Sequence, residues 1–169
     1  MAIIKPNNNT ISGITALPNG IVSSSALASG VGGKVLQVVF NSYSTYSSSS
    51  AGSYVDFGLS ATITPSSTSS KILVISDNQQ PNKSGSNDVF VKLQRNIDGG
   101  SYTDLAEFGK QMCWNQGTAE NRLATSGGSF LDTTNTTSAC IYKIQFKSGG
   151  GELNSNGSLS TLTLMEISA

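Results

Sequence analysis

The chain has 169 residues, enough for one domain with a core of its own. Ten Lys and Arg balance ten Asp and Glu, only 12% of the residues are charged, and there is no histidine. A neutral chain without a basic stripe or cluster argues against binding nucleic acid or an anionic membrane surface, and the recurring blocks of Val, Ile, Phe and Tyr argue against disorder throughout.

Residues 1–32 read as an extended arm. No charged residue occurs between Lys5 and Lys34. Ile11, Ile14 and Leu17 recur every third residue, a period that suits an extended polyproline-like segment better than a helix. Pro, Gly, Asn and Ser interrupt any helical reading of the stretch. The aliphatic residues Ile3, Ile4, Ile11, Ile14, Leu17, Ile21 and Val22 are the expected anchors of an arm buried against another component. Ile3 and Ile4 are followed at once by Lys5 and Pro6, so no apolar core of a signal peptide forms, and no run reaches the length of a membrane span. The expectation is a chain made and kept in a host cytoplasm until assembly or lysis, with Cys113 and Cys140 as free thiols.

Residues 33–169 read as strands. Lys34 to Phe40 is a continuous β-branched run, as in a strand covered on both faces, and Asn41 to Gly52 is a Ser/Tyr loop. Tyr54 to Thr64 alternates, with Val55, Phe57, Leu59, Ala61 and Ile63 on one face. Pro65 to Ser70 is a turn, Lys71 to Ser76 a buried strand, and Asp77 to Asn87 a loop. Val89, Val91, Leu93 and Arg95 mark the next strand, and Asp98-Gly99-Gly100 a hairpin turn leading into a short strand with Tyr102 and Leu105. The stretch from Leu105 to Arg122 carries little periodic signal, and Ser129 to Leu131 fits a short strand. Ala139 to Lys147 alternates with Cys140, Tyr142, Ile144 and Phe146 inward; after Gly149-Gly150-Gly151, Leu159 to Ile167 closes the chain. Eight or nine strands at about ten-residue spacing predict an antiparallel β-sandwich of jelly-roll type.

The residues offer little chemistry. Without histidine, the Ser-His-Asp and Cys-His systems are excluded, and two cysteines alone cannot hold structural zinc. Asp98, Asp104 and Glu107 cluster near one hairpin and could serve a glycosidase or bind Ca²⁺, but Asp98 fits the turn itself and Asp104 a solvent-facing position. The glycine-rich stretches lack the Lys-Ser/Thr of a phosphate loop. No cofactor or metal is expected. Tyr43, Tyr46 and Trp114 lie in or beside predicted loops and could contact a partner or a glycan; Trp114 could equally pack on the core or fill a subunit interface. The first and last strands of the sandwich carry apolar residues on both faces, which makes their second face a candidate subunit contact unless both are central strands.

Four segments, GKVLQVV (33–39), GLSATITPSSTSSKILV (58–74), SFLDTTNTTSACIYKIQF (129–146) and STLTLMEI (160–167), resemble in sequence and order a module of tailed-phage structural proteins found in marine and cyanobacterial phages. The resemblance implies a jelly-roll sandwich, often trimeric, on a virion surface, and carries no catalytic residues. The expectation is a non-enzymatic virion protein: a homotrimeric surface decoration or short head-fibre protein docked on the capsid or another virion component through residues 1–32. The alternative is a tail-fibre module recognising a host surface glycan.

Overall fold

The computed structural model describes residues 35–50, 52–79, 82–83, 88–112, 121–122, 125–154 and 157–168. Every regular element among them is a β-strand. Eight are long: β1 (Val35–Tyr43), β3 (Val55–Ile63), β4 (Lys71–Gln79), β6 (Val89–Ile97), β7 (Thr103–Met112), β9 (Thr125–Thr133), β10 (Cys140–Ser148) and β12 (Ser160–Ile167). Four are short: β2 (Ser47–Ser49), β5 (Asn82–Lys83), β8 (Asn121–Arg122) and β11 (Gly151–Leu153).

The long strands form two four-stranded sheets, ordered β1-β12-β4-β9 and β3-β10-β6-β7, and every pairing is antiparallel. The first long strand pairs with the last, the second with the seventh, the third with the sixth and the fourth with the fifth. This nested pairing is the jelly roll. The short strands make a third sheet, β2-β11-β5-β8.

Alternation places the core. Phe57, Leu59, Ala61 and Ile63 of β3 and Cys140, Tyr142, Ile144 and Phe146 of β10 point inward, as their period-2 pattern predicts. From the facing sheet come Ile72 and Val74 of β4 and Leu162 and Leu164 of β12. Phe57 anchors an aromatic row, edge-on to Tyr43 at 5.3 Å and to Phe146 at 6.1 Å between ring centres.

Two buried polar groups tie the sheets together. Asp132 on β9 accepts from Arg95 Nη1 on β6 at 2.6 and 2.8 Å and from the Tyr142 hydroxyl on β10 at 2.6 Å, so one carboxylate bridges both sheets. Burial, and then the bond to Asp132, push the Tyr142 phenol far above its ordinary range. Glu166, fully buried on β12, accepts from Gln37 Nε2 on β1 and from the backbone N–H and hydroxyl of Ser66, each at 2.7 Å. Burial alone would raise its pKa, but the bonds from Gln37 and Ser66 outweigh burial and hold it at about 2. Glu166 thereby pins the β3–β4 turn and the first strand to the end of the sandwich.

The structure corrects several expectations. β1 is an edge strand, not one covered on both faces, and β4 exposes Ile75 rather than burying both sides. The Asn41 to Gly52 loop contains the end of β1 and all of β2, while β4 takes the first three residues of the Asp77 to Asn87 loop and β5 lies within it. Thr103–Met112 is a ten-residue strand, and Thr125–Thr133 extends the expected three-residue strand to nine.

Candidate assembly face

A jelly roll has two outward faces, and here their chemistry is opposite. Register fixes which side chains share a face, because directly paired residues point the same way. On the β1-β12-β4-β9 sheet one outward row runs Val38, Met165, Leu73, Leu131 across all four strands. The next row is Phe40, Thr163, Ile75, Ser129. Val38 is 55% exposed, Phe40 60% and Leu131 51%, with Leu36 and Ile75 also open to solvent. Charge enters the outward positions of these strands only at the two ends of β4, with Lys71 and Asp77.

On the β3-β10-β6-β7 sheet the comparable row runs Asp56, Gln145, Lys92, Glu107. Lys143 Nζ lies 2.7 Å from Asp56, and Lys92 Nζ lies 2.9 Å from Asp104. Burial raises the Asp56 pKa, but the bonds from Lys143 and Gln145 outweigh burial and hold it below its ordinary value; Gln94 and then Lys92 do the same for Asp104. The aromatic rings on this side are capped by ammonium groups. Lys143 sits 3.8 Å from the Tyr102 ring centre, Lys92 4.1 Å from Tyr54, and Lys147 4.3 Å from Phe90. On this face Asp56 and Asp104 are open to solvent, while the Lys92 and Lys143 stems lie mostly covered against the rings they cap.

Of the three aromatic candidates for partner or glycan contact, Tyr43 is not in a loop. It ends β1, opposite Ser160, and its half-buried ring packs on Phe57 and over Gly58. Tyr46 is exposed, and its hydroxyl donates to Glu152 Oε1 at 2.8 Å, a bond that raises its pKa. Its loop is held by buried Asn154, whose Nδ2 donates to the carbonyls of Tyr43 at 2.9 Å and Thr45 at 3.3 Å. Trp114 and Cys113 lie outside the described residues, as do the arm anchors Ile3, Ile4, Ile11, Ile14, Leu17, Ile21 and Val22. Cys140 is a buried free thiol, and burial pushes its pKa up.

Asp104 and Glu107 line one open pocket with Lys92, Leu105 and Ala106, and Asp98 does not reach it. Asp98 occupies the turn with φ of 51°, where its N–H donates to Ala139 O at 2.9 Å. Asp104 is committed to Lys92 and Gln94, and Glu107 accepts from the Tyr54 hydroxyl and pairs with Lys110. Among the described residues no three His, Cys, Asp or Glu side chains converge as a metal site would need.

Strand order and faces together define an eight-stranded jelly roll with one apolar and one polar outward sheet. No protein-family model matches the chain, and no curated protein matches it in sequence. Among solved structures, the infectious bursal disease virus VP2 subviral particle is similar at a TM-score of 0.39 and 13% identity, over 79% of this chain and 37% of that one. The structure of the infectious bursal disease virus Gt strain is similar at 0.39 and 14%, over 79% of this chain and 38% of that one. The chain thus spans less than two fifths of the length of either. The jelly roll is assigned from this chain's own strand order, not from these likenesses.

Proposed function

We propose that this chain is a non-enzymatic structural protein of a phage virion, a homotrimeric surface decoration or short head-fibre protein that docks through residues 1–32. The observation that carries the reading is the contrast between the two outward faces. An enzyme on this fold would need a concave site with converging polar groups. The hollow lined by Lys92, Asp104 and Glu107 has its polar groups engaged with one another and with Gln94, Tyr54 and Lys110, and the chain offers an apolar sheet opposite a charged one, which is the arrangement of a part made to be packed against other parts. The phage-like segments add support of a different kind: they include residues 35–39 of β1, 71–74 of β4, 129–133 of β9 and all of β12 on the apolar face, together with most of β3 and β10 on the other sheet. The mechanism is binding energy alone, with an aliphatic arm whose one charged residue is Lys5 adding contact area by wrapping its partner.

Deleting residues 1–32 tests the docking. The truncated chain is expected to keep its β-sheet circular dichroism and to be lost from purified particles; full occupancy without the arm would refute it. Exposed Tyr46 favours a second reading, a tail-fibre module that contacts a host glycan. That reading requires Tyr46→Ala to weaken binding to host cells.

A further inference from the structure

Among the described residues nothing covers the outward face of the β1-β12-β4-β9 sheet, and we infer that a second copy of this chain does. The inference rests on the reading of the chain as a self-assembling structural protein and names the partner of the face that carries it.

Size is the first reason. The exposed parts of Leu36, Val38, Phe40, Ile75 and Leu131, with their half-buried neighbours, amount to roughly 500 Å² of apolar surface, at the upper end of what a monomer leaves open. A standard interface buries about 800 Å² per partner, of which roughly 56–65% is apolar. The patch therefore matches one such interface, not a small-ligand groove and not a much larger obligate one.

Charge is the second. A surface that meets a copy of itself, or a neighbouring part of a copy, must avoid opposing like charges. The outward positions of β1 and β12 carry none, and those of β4 carry one of each sign, at opposite ends. A face evolved for a charged partner would show complementary charge at its centre, and here the centre is Val38, Met165, Leu73 and Leu131.

The third reason is the edge. Among the described residues β1 has a backbone ladder only with β12; on its other side Gln37 Nε2 donates to Thr64 O and Asn41 Nδ2 to Ser60 O, with no ladder, and its nine residues include no Lys, Glu, Asp, Arg or Pro. Soluble proteins blunt such edges with charge, proline or a bulge, and the bulge at Val35/Gln37 guards only the start of this strand. An apolar strand without a second ladder, beside an apolar face, is tolerable when a partner made at the same time and concentration covers that face, which a second copy satisfies by construction.

The experiment is the solution mass of the full chain by light scattering at about 50 µM, well above the Kd expected of a standard-sized interface. It is run on the wild type, on Val38→Lys/Phe40→Lys, on Leu131→Lys and on Gln145→Lys, with circular dichroism to confirm folding. The wild type and the opposite-face variant Gln145→Lys are expected to be oligomeric. The double variant is expected to be monomeric and folded, and Leu131→Lys, at the far edge of the same row, to shift the midpoint of dissociation at least tenfold higher in concentration. A monomeric wild type overturns the inference, as does a double variant or a Leu131→Lys chain that associates as the wild type does. Particle binding separates this from the wider reading. If the wild type is monomeric yet the double variant is lost from virions, the face meets another virion protein: self-association and the trimer fail, and the virion role stands; if the double variant also stays on virions, both fail.

Discussion

Replacing Glu166 with Ala removes the acceptor on which the end of the sandwich converges. Three bonds of 2.7 Å are lost, one from Gln37 and two from Ser66. Hydrogen bonds to a charged group contribute about 1.5–3 kcal/mol each, and the desolvation of the buried carboxylate offsets part of that sum. The net loss is about 3 kcal/mol, equivalent to a fall in Tm of roughly 10 °C for a domain of this size. The effect depends on pH in a fixed direction. The native pKa is about 2, against an unfolded value of 4.5. Above about pH 5 the carboxylate is ionised in both states and the full stabilisation is present; between 4.5 and 2 the unfolded chain takes up a proton that the native chain does not, and the stabilisation is lost as pH falls. Thermal melts of wild type and Glu166→Ala at one protein concentration, at pH 7, 5, 4 and 3, check both parts. The gap is expected to be constant from pH 7 to 5 and to narrow toward pH 3. Equal Tm at pH 7, or a gap that does not change with pH, would show that Glu166 is not held ionised by these donors.

Asp132→Ala strands the Arg95 guanidinium and the Tyr142 hydroxyl in the core and is expected to cost about 3–5 kcal/mol in urea unfolding; combining it with Arg95→Met should recover part of the loss. Gly58, at φ of +98°, sits in the bulge where residues 57–59 face Ile144, and an added Cβ would lie 2.6 Å from the Tyr43 ring. Gly58→Ala is expected to cost about 3 kcal/mol through both strain and clash, and Tyr43→Ala in that background should relieve only the clash.

What was legible in the sequence was the alternation. β3 and β10 were readable residue by residue because each has one core face and one solvated face, and the hairpin after β6 announced itself by Asp98-Gly99-Gly100. β7 and β9 were obscured for a physical reason. Both are edge strands, and β9 begins Thr-Ser-Gly-Gly, where backbone pairing holds the strand with little apolar side-chain pattern to reveal it. The continuous apolar run of β1 was ambiguous in principle, since a strand buried on both sides and a strand with an apolar outer face share one pattern. Glu166 and Asp132 gave no signal by residue type, but phase could have found Glu166: extending the inward positions Leu162 and Leu164 by two places it indoors. Tyr43 reads as a loop residue in the sequence because the Ser/Tyr run hides where β1 stops.

The central claim, that the apolar sheet is covered and the polar sheet is wet, is tested most directly by hydroxyl-radical footprinting of the full chain at assembly concentration. Phe40 and Tyr102 report on the two faces within one sample. In the single chain Phe40 is the more open, at 60% against 40%. The account predicts that in the assembled protein Phe40 is protected and reacts more slowly than Tyr102, whereas a Phe40 that reacts as freely as its exposure in one chain implies would contradict it.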